Sequence, residues 1–352
     1  MNQVKSIEIE GRKIGAGHAP YIVAELSANH NGRLERALET ITMAKQMGAD
    51  AIKLQTYTAD SLTIDCDGQE FQIEGGLWDG YSLYELYDQA HTPYEWHAAL
   101  FAHARKIGIT CFSTPFDEGA VDLLESLNAP AYKVASFEAI DLPLIDYVAH
   151  TGKPMIISTG MANKQEIADA VDTARNGGCH DLILLHCISG YPTPVDQSNL
   201  LTIPDISKHF GVLAGLSDHS LGTAVSIAGV TLGACVIEKH VTLNRRDAGP
   251  DSAFSLEPQE LQKLCNDCRN AWRALGKAGY ELQPVEDSNL KFRRSIYVVA
   301  DIDAGGILTE QNIRRIRPGY GLAPRYYNEI MGKTVNVHLK RGTALTWDVI
   351  NR

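Results

Sequence analysis

The chain has 352 residues, of which 44% are hydrophobic and 21% charged, and its formal net charge is -11. This length predicts one large domain and a smaller one, and the acidic balance argues against nucleic acid or an anionic membrane as a partner, because both bind basic surfaces. No run approaches the roughly twenty apolar residues of a membrane span, and Met1–Gly17 lacks the apolar core of a secretory leader. Seven scattered cysteines indicate reduced thiols in the cytoplasm.

Eight short apolar runs alternate with segments of helical periodicity, which predicts an α/β fold of the (β/α)8 TIM-barrel type. The runs lie at 21–25, 51–57, 109–116, 131–138, 154–160, 182–192, 212–219 and 235–240. The helical segments lie at 33–47, 94–106, 118–127, 142–150, 164–175, 200–209, 221–232 and 258–275. One long irregular stretch, 59–92, carries Trp78, Tyr81 and Tyr84. We expect an ordered lid or substrate wall there, with a packed surface loop as the alternative.

The pattern changes after Leu275, where a polar, turn-rich segment begins. We therefore divide the chain into a barrel at 1–280, a linker at 281–290 and a small β-rich domain at 291–352. Short strand-like runs separated by glycine-containing turns support the β-rich assignment.

Charged and hydroxyl side chains end the predicted barrel strands, and barrel active sites gather at those ends. A buried strand gains nothing from ending in an uncompensated charge, so the series indicates a site. The candidates are Glu25, Lys53, Gln55, Thr114, Lys133, Ser136, Ser158, Ser189, Ser217, His219 and His240.

His219 and His240 end consecutive strands, so their imidazoles should lie close together and suit a catalytic divalent metal. The alternative is a pair of hydrogen-bonded core histidines. Alternation places Glu238 on the same face as His240, as a partner or further ligand. Glu25 should lie near His240, where it either orients a water molecule or forms an ion pair with Lys53.

Lys53 and Lys133, with the surrounding hydroxyls, suggest a cradle for phosphate and carboxylate groups. Each serine or threonine alone could instead cap the following helix. A lysine at a strand end also permits a Schiff-base aldolase, and a catalytically silent sugar-binding barrel is a third hypothesis. Cys265 and Cys268 form a lone CxxC that we interpret as ordinary helix residues.

The chain resembles the sialic acid synthase family in eight ordered motifs: AELSANHNG, IKLQTYT, FSTPF, AYKVASFE, STGMA, LHCISGYPTP, GLSDHS and IEKH. The tail, with IRPGYGL, MGK and KRGTALT, resembles the antifreeze-like (SAF) domain of that family. Within the family, KLQTYTADSLT, EGGLWDGYSLYELY and AHTPYEWH look most like the pseudaminate branch. The neuraminate branch has a histidine where this chain has Leu54, and an amide where it has Ser189.

The resemblance implies condensation of phosphoenolpyruvate with an N-acetylated amino sugar and release of phosphate by C–O cleavage. The implied cofactor is a divalent ion, manganese first, with magnesium or cobalt as alternatives. His219 and His240 would hold the metal, and Glu25 would act on the water that adds at C2. The residues implied for phosphoenolpyruvate binding are Lys53, Thr114, Lys133, Ser136, Ser158, Ser189 and Ser217.

The implied acceptor of the pseudaminate branch is 2,4-diacetamido-2,4,6-trideoxy-L-altrose, with the legionaminate and neuraminate precursors as alternatives. Its C6 methyl group would suit an apolar wall, for which we expect Leu54, Trp78 and Tyr81. The resemblance also implies a domain-swapped homodimer in which the second subunit completes the sugar pocket. The implied sugar-binding residues are Gln55, Tyr191, Asp251 and, from the partner subunit, Arg317.

Overall fold

The computed structural model describes residues 6–351, which divide at Gly276 into two compact units. The first unit opens with an antiparallel hairpin of β1 (Ile7–Ile9) and β2 (Arg12–Ile14). Ile7, Ile9 and Ile14 are buried in one cluster with the first residues of several barrel strands. The hairpin therefore closes the N-terminal end of the barrel. It was missed in the sequence, because three-residue strands are too short to display an alternating pattern.

Eight parallel strands form a closed barrel, as the sequence predicted. The last strand pairs with the first, with His240 beside Glu25 in register. The strands are β3 (Tyr21–Glu25), β4 (Ala51–Thr56), β5 (Thr110–Pro115), β6 (Tyr132–Val134), β7 (Met155–Ser158), β8 (Leu182–Cys187), β9 (Leu213–Ser217) and β10 (Val236–His240).

Helices surround the barrel, and the eight predicted from periodicity are confirmed. They are α1 (Leu34–Met47), α4 (Tyr94–Ile107), α5 (Glu118–Ser126), α6 (Leu142–Ala149), α7 (Lys164–Asn176), α8 (Thr202–Phe210), α9 (Ala224–Thr231) and α10 (Pro258–Leu275). Cys265 and Cys268 lie buried on α10 as free thiols. None of the helices described between residues 6 and 351 is long and apolar enough to cross a membrane.

The stretch 59–92, which the sequence suggested to be irregular, contains two further helices. These are α2 (Ala59–Leu62) and α3 (Leu83–Ala90). Ser82 caps α3: its hydroxyl accepts from the Glu85 N–H, and the Glu85 carboxylate accepts from the Ser82 N–H. Serine followed three residues later by glutamate is the sequence signal for this helix start.

The second unit has its own apolar core, which includes Ile296, Leu308, Ile313 and Leu345. An antiparallel pair, β11 (Ser295–Val298) and β12 (Ile313–Ile316), is accompanied by isolated bridges. One short helix, α11 (Tyr327–Ile330), completes its regular elements, and a 3-10 helix runs over Pro284–Phe292. The small β-rich character expected of the tail is confirmed.

Gly215 lies inside the barrel on β9, where an added Cβ would stand 2.6 Å from both Leu185 Cδ2 and Val236 O. We expect Gly215→Ala to lower the free energy of unfolding by about 2 kcal/mol, because a closed barrel cannot make room for a methyl group against backbone. Thermal and urea unfolding measure the loss. Gly17→Ala is the matched control, since no atom lies within 4 Å of its added Cβ. Equal stability of the two variants would contradict the expectation.

Candidate active site

The strand-end candidates converge at the C-terminal mouth of the barrel. Each lies within three residues of the C-terminal end of its strand. All but Gln55 and Ser189 are buried, although most are charged or polar. Their convergence follows from barrel geometry, since the carboxyl ends of parallel strands open at one face.

Lys53 stands at the centre of this group. Its Nζ lies 2.5 Å from Glu25 Oε2 and 3.8 Å from Glu238 Oε1, and it donates to Thr114 Oγ1 at 3.0 Å. Burial on its own would lower the pKa of the Lys53 ammonium, but Glu238 and Glu25 outweigh burial and raise it. Lys53 is therefore a fixed positive charge.

Glu25 is held at both carboxylate oxygens, since Oε1 accepts from the Ser27 N–H at 2.9 Å while Oε2 faces Lys53. Of the two roles predicted for Glu25, the ion pair with Lys53 is therefore present. Burial raises the pKa of Glu25 to about 7, against the opposing effect of Lys53. Near neutral pH this carboxylate can both hold and release a proton.

The second lysine, Lys133, has a different environment. Its Nζ donates to the Val134 carbonyl at 2.9 Å. Burial lowers the pKa of Lys133, and the charge of Lys53 adds to that effect while Glu238 opposes it. Two lysines and two glutamates thus share one buried region.

Hydroxyl groups complete the anion cradle. Ser217 donates to Glu238 Oε1 at 3.1 Å, and Ser189 donates to Ser136 at 2.9 Å. The Ser158 hydroxyl is buried with no hydrogen-bond partner among the described residues. A buried hydroxyl without a hydrogen-bond partner lowers the stability of the fold, so the Ser158 hydroxyl is suited to bond with a ligand.

The imidazoles of His219 and His240 are neighbours, with ring centroids 5.4 Å apart and an interplanar angle of 62°. His219 Nδ1 lies 3.0 Å from the Ile188 carbonyl and donates to it, so in the neutral imidazole the lone pair lies on Nε2. Burial on its own would lower the pKa of His219, but Cys187 and the Ile188 carbonyl outweigh burial and raise it, so a metal at Nε2 would compete with a proton. His240 Nδ1 is buried without a hydrogen bond in residues 6–351, 3.8 Å from Asp251 Oδ2.

These nitrogens fit an open metal site. Burial, followed by the charges of His219 and Lys53, holds the pKa of His240 well below its usual range, so its imidazole is neutral. Within residues 6–351 no group of three or more histidine, cysteine or acidic side chains is arranged to bind a metal. Two imidazoles with vacant positions beside them match a catalytic ion better than a structural one.

A cavity of about 440 Å³ opens above the buried charges. Gln55, Tyr191 and Asp251, expected to bind sugar, line it together with Ser136 and His240. The stretch 59–92 supplies an apolar side of the cavity, formed by Leu62, Ile73, Trp78, Leu83 and Leu86.

Of the three residues expected to form an apolar wall, Trp78 lines the cavity, whereas Leu54 and Tyr81 do not. Leu54 packs in the cluster between strands and helices, because alternation along β4 turns it away from the barrel interior. Tyr81 is partly exposed and lines neighbouring cavities instead. Trp78 is anchored by its indole N–H, which donates to the Pro250 carbonyl at 3.1 Å.

The cavity-lining residues that the sequence analysis did not identify include Glu138 and Ser27. Glu138 is mostly buried, and burial raises its pKa to about 7. It stands past the end of β6 in AYKVASFE, and this acidic residue after a strand end is the signal in the sequence. Ser27 also lines the cavity, in a left-handed backbone conformation that a sequence does not reveal. Arg317 lies exposed in the second unit, and its reach into a partner subunit stays a prediction.

Behind the two histidines, Asp218 and Lys239 form a buried ion pair on the opposite faces of their strands. Lys239 Nζ lies 2.9 Å from Asp218 Oδ2 and donates to the Ser220 carbonyl at 2.6 Å. Asp218 Oδ1 accepts from the Ser220 N–H at 2.8 Å. Because each partner adjoins a histidine, the pair fixes the spacing of His219 and His240.

Lys239→Met should lower the free energy of unfolding by about 3 kcal/mol, because it leaves the buried Asp218 carboxylate without its cation. Chemical denaturation measures the change. The control is Lys263→Met, which breaks an exposed pair with Asp267 on α10 and should change stability little. Comparable effects of both substitutions would refute a structural role for the buried pair.

A closed parallel barrel with paired lysines, glutamates and histidines at its mouth, joined to a small β-rich unit, defines a two-domain barrel enzyme. The chain belongs to the NeuB family, whose model matches residues 40–280, and a SAF domain matches residues 293–350. The family and the fold expected from the sequence motifs are therefore confirmed.

Three relatives place the chain within this family. It is 45% identical over 334 residues to the pseudaminic acid synthase of Helicobacter pylori, which covers 95% of this chain and 98% of that protein. It is 36% identical to the N,N'-diacetyllegionaminic acid synthase of Legionella pneumophila, over 96% of each chain. The solved N-acetylneuraminic acid synthetase of Leptospira borgpetersenii aligns with a TM-score of 0.73 at 30% identity, covering 83% of this chain and 97% of that one.

Proposed function

We propose that the chain is a pseudaminic acid synthase. It condenses phosphoenolpyruvate with 2,4-diacetamido-2,4,6-trideoxy-L-altrose and water to give a nonulosonic acid and inorganic phosphate. The observation that carries the proposal is the buried lysine and hydroxyl cradle lying beneath a cavity with one apolar side. Identity to the Helicobacter enzyme, 45% against 36% for the Legionella one, supports the choice of acceptor.

Phosphoenolpyruvate binds in the cradle. Lys53 and Lys133 face its anionic groups, and the hydroxyls of Thr114, Ser136, Ser158, Ser189 and Ser217 donate to its oxygens. The unpartnered Ser158 hydroxyl supports this assignment. Burial of both lysines excludes water, which strengthens their attraction for the ligand.

The divalent ion of the proposal would be held by His219 and His240, with manganese as the first candidate. It supplies Lewis-acid polarisation of the aldehyde oxygen. The charge balance supports an added cation: Lys53 and Lys133 are already offset by Glu25 and Glu238, so a multiply charged anion would otherwise meet little net attraction.

In the reaction, C3 of phosphoenolpyruvate forms a bond to the aldehyde carbon and C2 becomes electron-deficient. Glu25 orients a water molecule and accepts its proton as the oxygen adds to C2. The tetrahedral carbon then loses phosphate by cleavage of its C–O bond, and its hydroxyl proton leaves with the phosphate as the 2-keto group forms. The proton held on Glu25 passes to the alkoxide that C–C bond formation left on the former aldehyde oxygen. The contacts of Glu25 with Lys53 and the Ser27 N–H support this role, since they fix its orientation.

Gln55, Tyr191 and Asp251 bind the sugar, with its C6 methyl group toward Leu62, Ile73 and Leu83. In a domain-swapped homodimer, Arg317 from the second subunit would complete the pocket. The apolar side of the cavity supports a 6-deoxy acceptor, because a hydroxyl group placed there would lose hydrogen bonds to water.

His219→Ala and His240→Ala should each reduce phosphate release by more than about 100-fold, because each removes a metal ligand. Manganese affinity, measured by calorimetry, should fall in parallel while the unfolding midpoint changes little. His209→Ala on α8 is the control, as an exposed histidine remote from the strand ends.

Activity that survives both substitutions and a chelator would reject the metal. Borohydride trapping of a substrate on the protein would then favour the Schiff-base aldolase, for which the lowered pKa of Lys133 is suited. Sugar binding without turnover would instead favour a catalytically silent barrel.

Phosphate release with manganese should be fastest with 2,4-diacetamido-2,4,6-trideoxy-L-altrose among the three candidate precursors. Leu83→Asn should lower kcat/KM for that sugar about fivefold by removing apolar contact with the methyl group. Tyr81→Ala, outside the cavity, should leave kcat/KM unchanged and serves as the control. Preference for N-acetylmannosamine would reject the pseudaminate assignment.

A further inference from the structure

Ser27 bridges two acidic groups of the site. Its N–H donates to Glu25 Oε1 at 2.9 Å, and its hydroxyl donates to Asp251 Oδ2. The side chain is buried and lines the sugar cavity. One residue thus contacts the carboxylate assigned to the water and the carboxylate assigned to the sugar.

The backbone of Ser27 is left-handed, with φ of 47°. The left-handed region is strained for residues other than glycine, whereas glycine adopts it freely. Strained residues of this kind concentrate at functional sites, where the surrounding structure holds them in place. Glycine would adopt this left-handed conformation without strain, yet the residue is serine. The serine hydroxyl therefore calls for a functional explanation.

The neighbouring asparagines already anchor the loop that carries Asp251. Asn29 Nδ2 donates to the Val241 carbonyl at 2.8 Å, and Asn31 Nδ2 donates to the Asp247 carbonyl at 3.0 Å. Asn29 also accepts from Ser252 at 3.1 Å. These bonds fix the backbone of the loop, while the Ser27 hydroxyl contacts the carboxylate itself.

We infer that Ser27 is a positioning residue for the acceptor sugar. Its hydroxyl holds the Asp251 carboxylate at a fixed place relative to Glu25, so that the sugar is presented to the catalytic carboxylate in one orientation. The inference rests on the proposed function, because it takes Asp251 as a sugar ligand and Glu25 as the group acting at C2.

The test compares Ser27→Ala with Ser27→Gly, both of which remove the hydroxyl. Each should raise KM for 2,4-diacetamido-2,4,6-trideoxy-L-altrose about tenfold, the effect of losing a hydrogen bond to a charged group, and leave KM for phosphoenolpyruvate within about twofold. Calorimetric titration with that sugar alone should give the same loss of affinity. Ser27→Gly should unfold at or above the wild-type temperature, since glycine relieves the backbone strain.

Ser255→Ala is the matched control: the Ser255 hydroxyl donates to the main-chain carbonyl of Asp251 at 2.6 Å and accepts from Asn29 Nδ2 at 2.8 Å, so it holds the loop backbone and not the carboxylate. Its KM for the sugar should change less than that of either Ser27 variant. The inference would be overturned if Ser27→Gly kept the wild-type KM for the sugar, or if KM rose equally for the sugar and phosphoenolpyruvate. It would also be overturned if Ser255→Ala raised KM for the sugar as much as the Ser27 variants. Absence of turnover in the wild-type protein would instead reject the proposed function.

Discussion

The pairing of the last barrel strand with the first is the constraint on which the site depends. Parallel registry sets His240 beside Glu25 and Lys239 beside Ala24, so residues from the two ends of the barrel sequence become neighbours. Lys53 on the next strand then reaches Glu25, and Ser217 on the preceding strand reaches Glu238. Closure of the sheet, and not any local motif, assembles the charged cluster.

Charge compensation explains how a barrel core tolerates so many ionisable groups. Lys53 has Glu25, Glu238 and the Thr114 hydroxyl near its ammonium, and Lys133 donates to the Val134 carbonyl. The Asp218–Lys239 pair is satisfied separately on the other side of the strands. Removing a partner from such a set is costly, since the remaining charge stays buried. The same networks that stabilise the rim therefore also keep its reactive groups in place.

The strand order and the strand-end residues could be predicted because alternation and strand length are properties of consecutive residues. The same alternation should have excluded Leu54 from the cavity, since it lies between the inward-facing Lys53 and Gln55 on β4. The helix α3 also had a visible cap. In contrast, the backbone conformation of Ser27 and the contacts of Asp251 arise from tertiary packing, which a single sequence does not encode in any local pattern.

The hairpin of β1 and β2 closes the N-terminal end of the barrel. Its isoleucines fill that end, and the cavity lies at the opposite, C-terminal end of the strands. Lys53 and Lys133 are buried and do not line the cavity flanked by Trp78 and Tyr191. On the proposed assignment, phosphoenolpyruvate at the two lysines would therefore have to enter before the sugar fills the cavity.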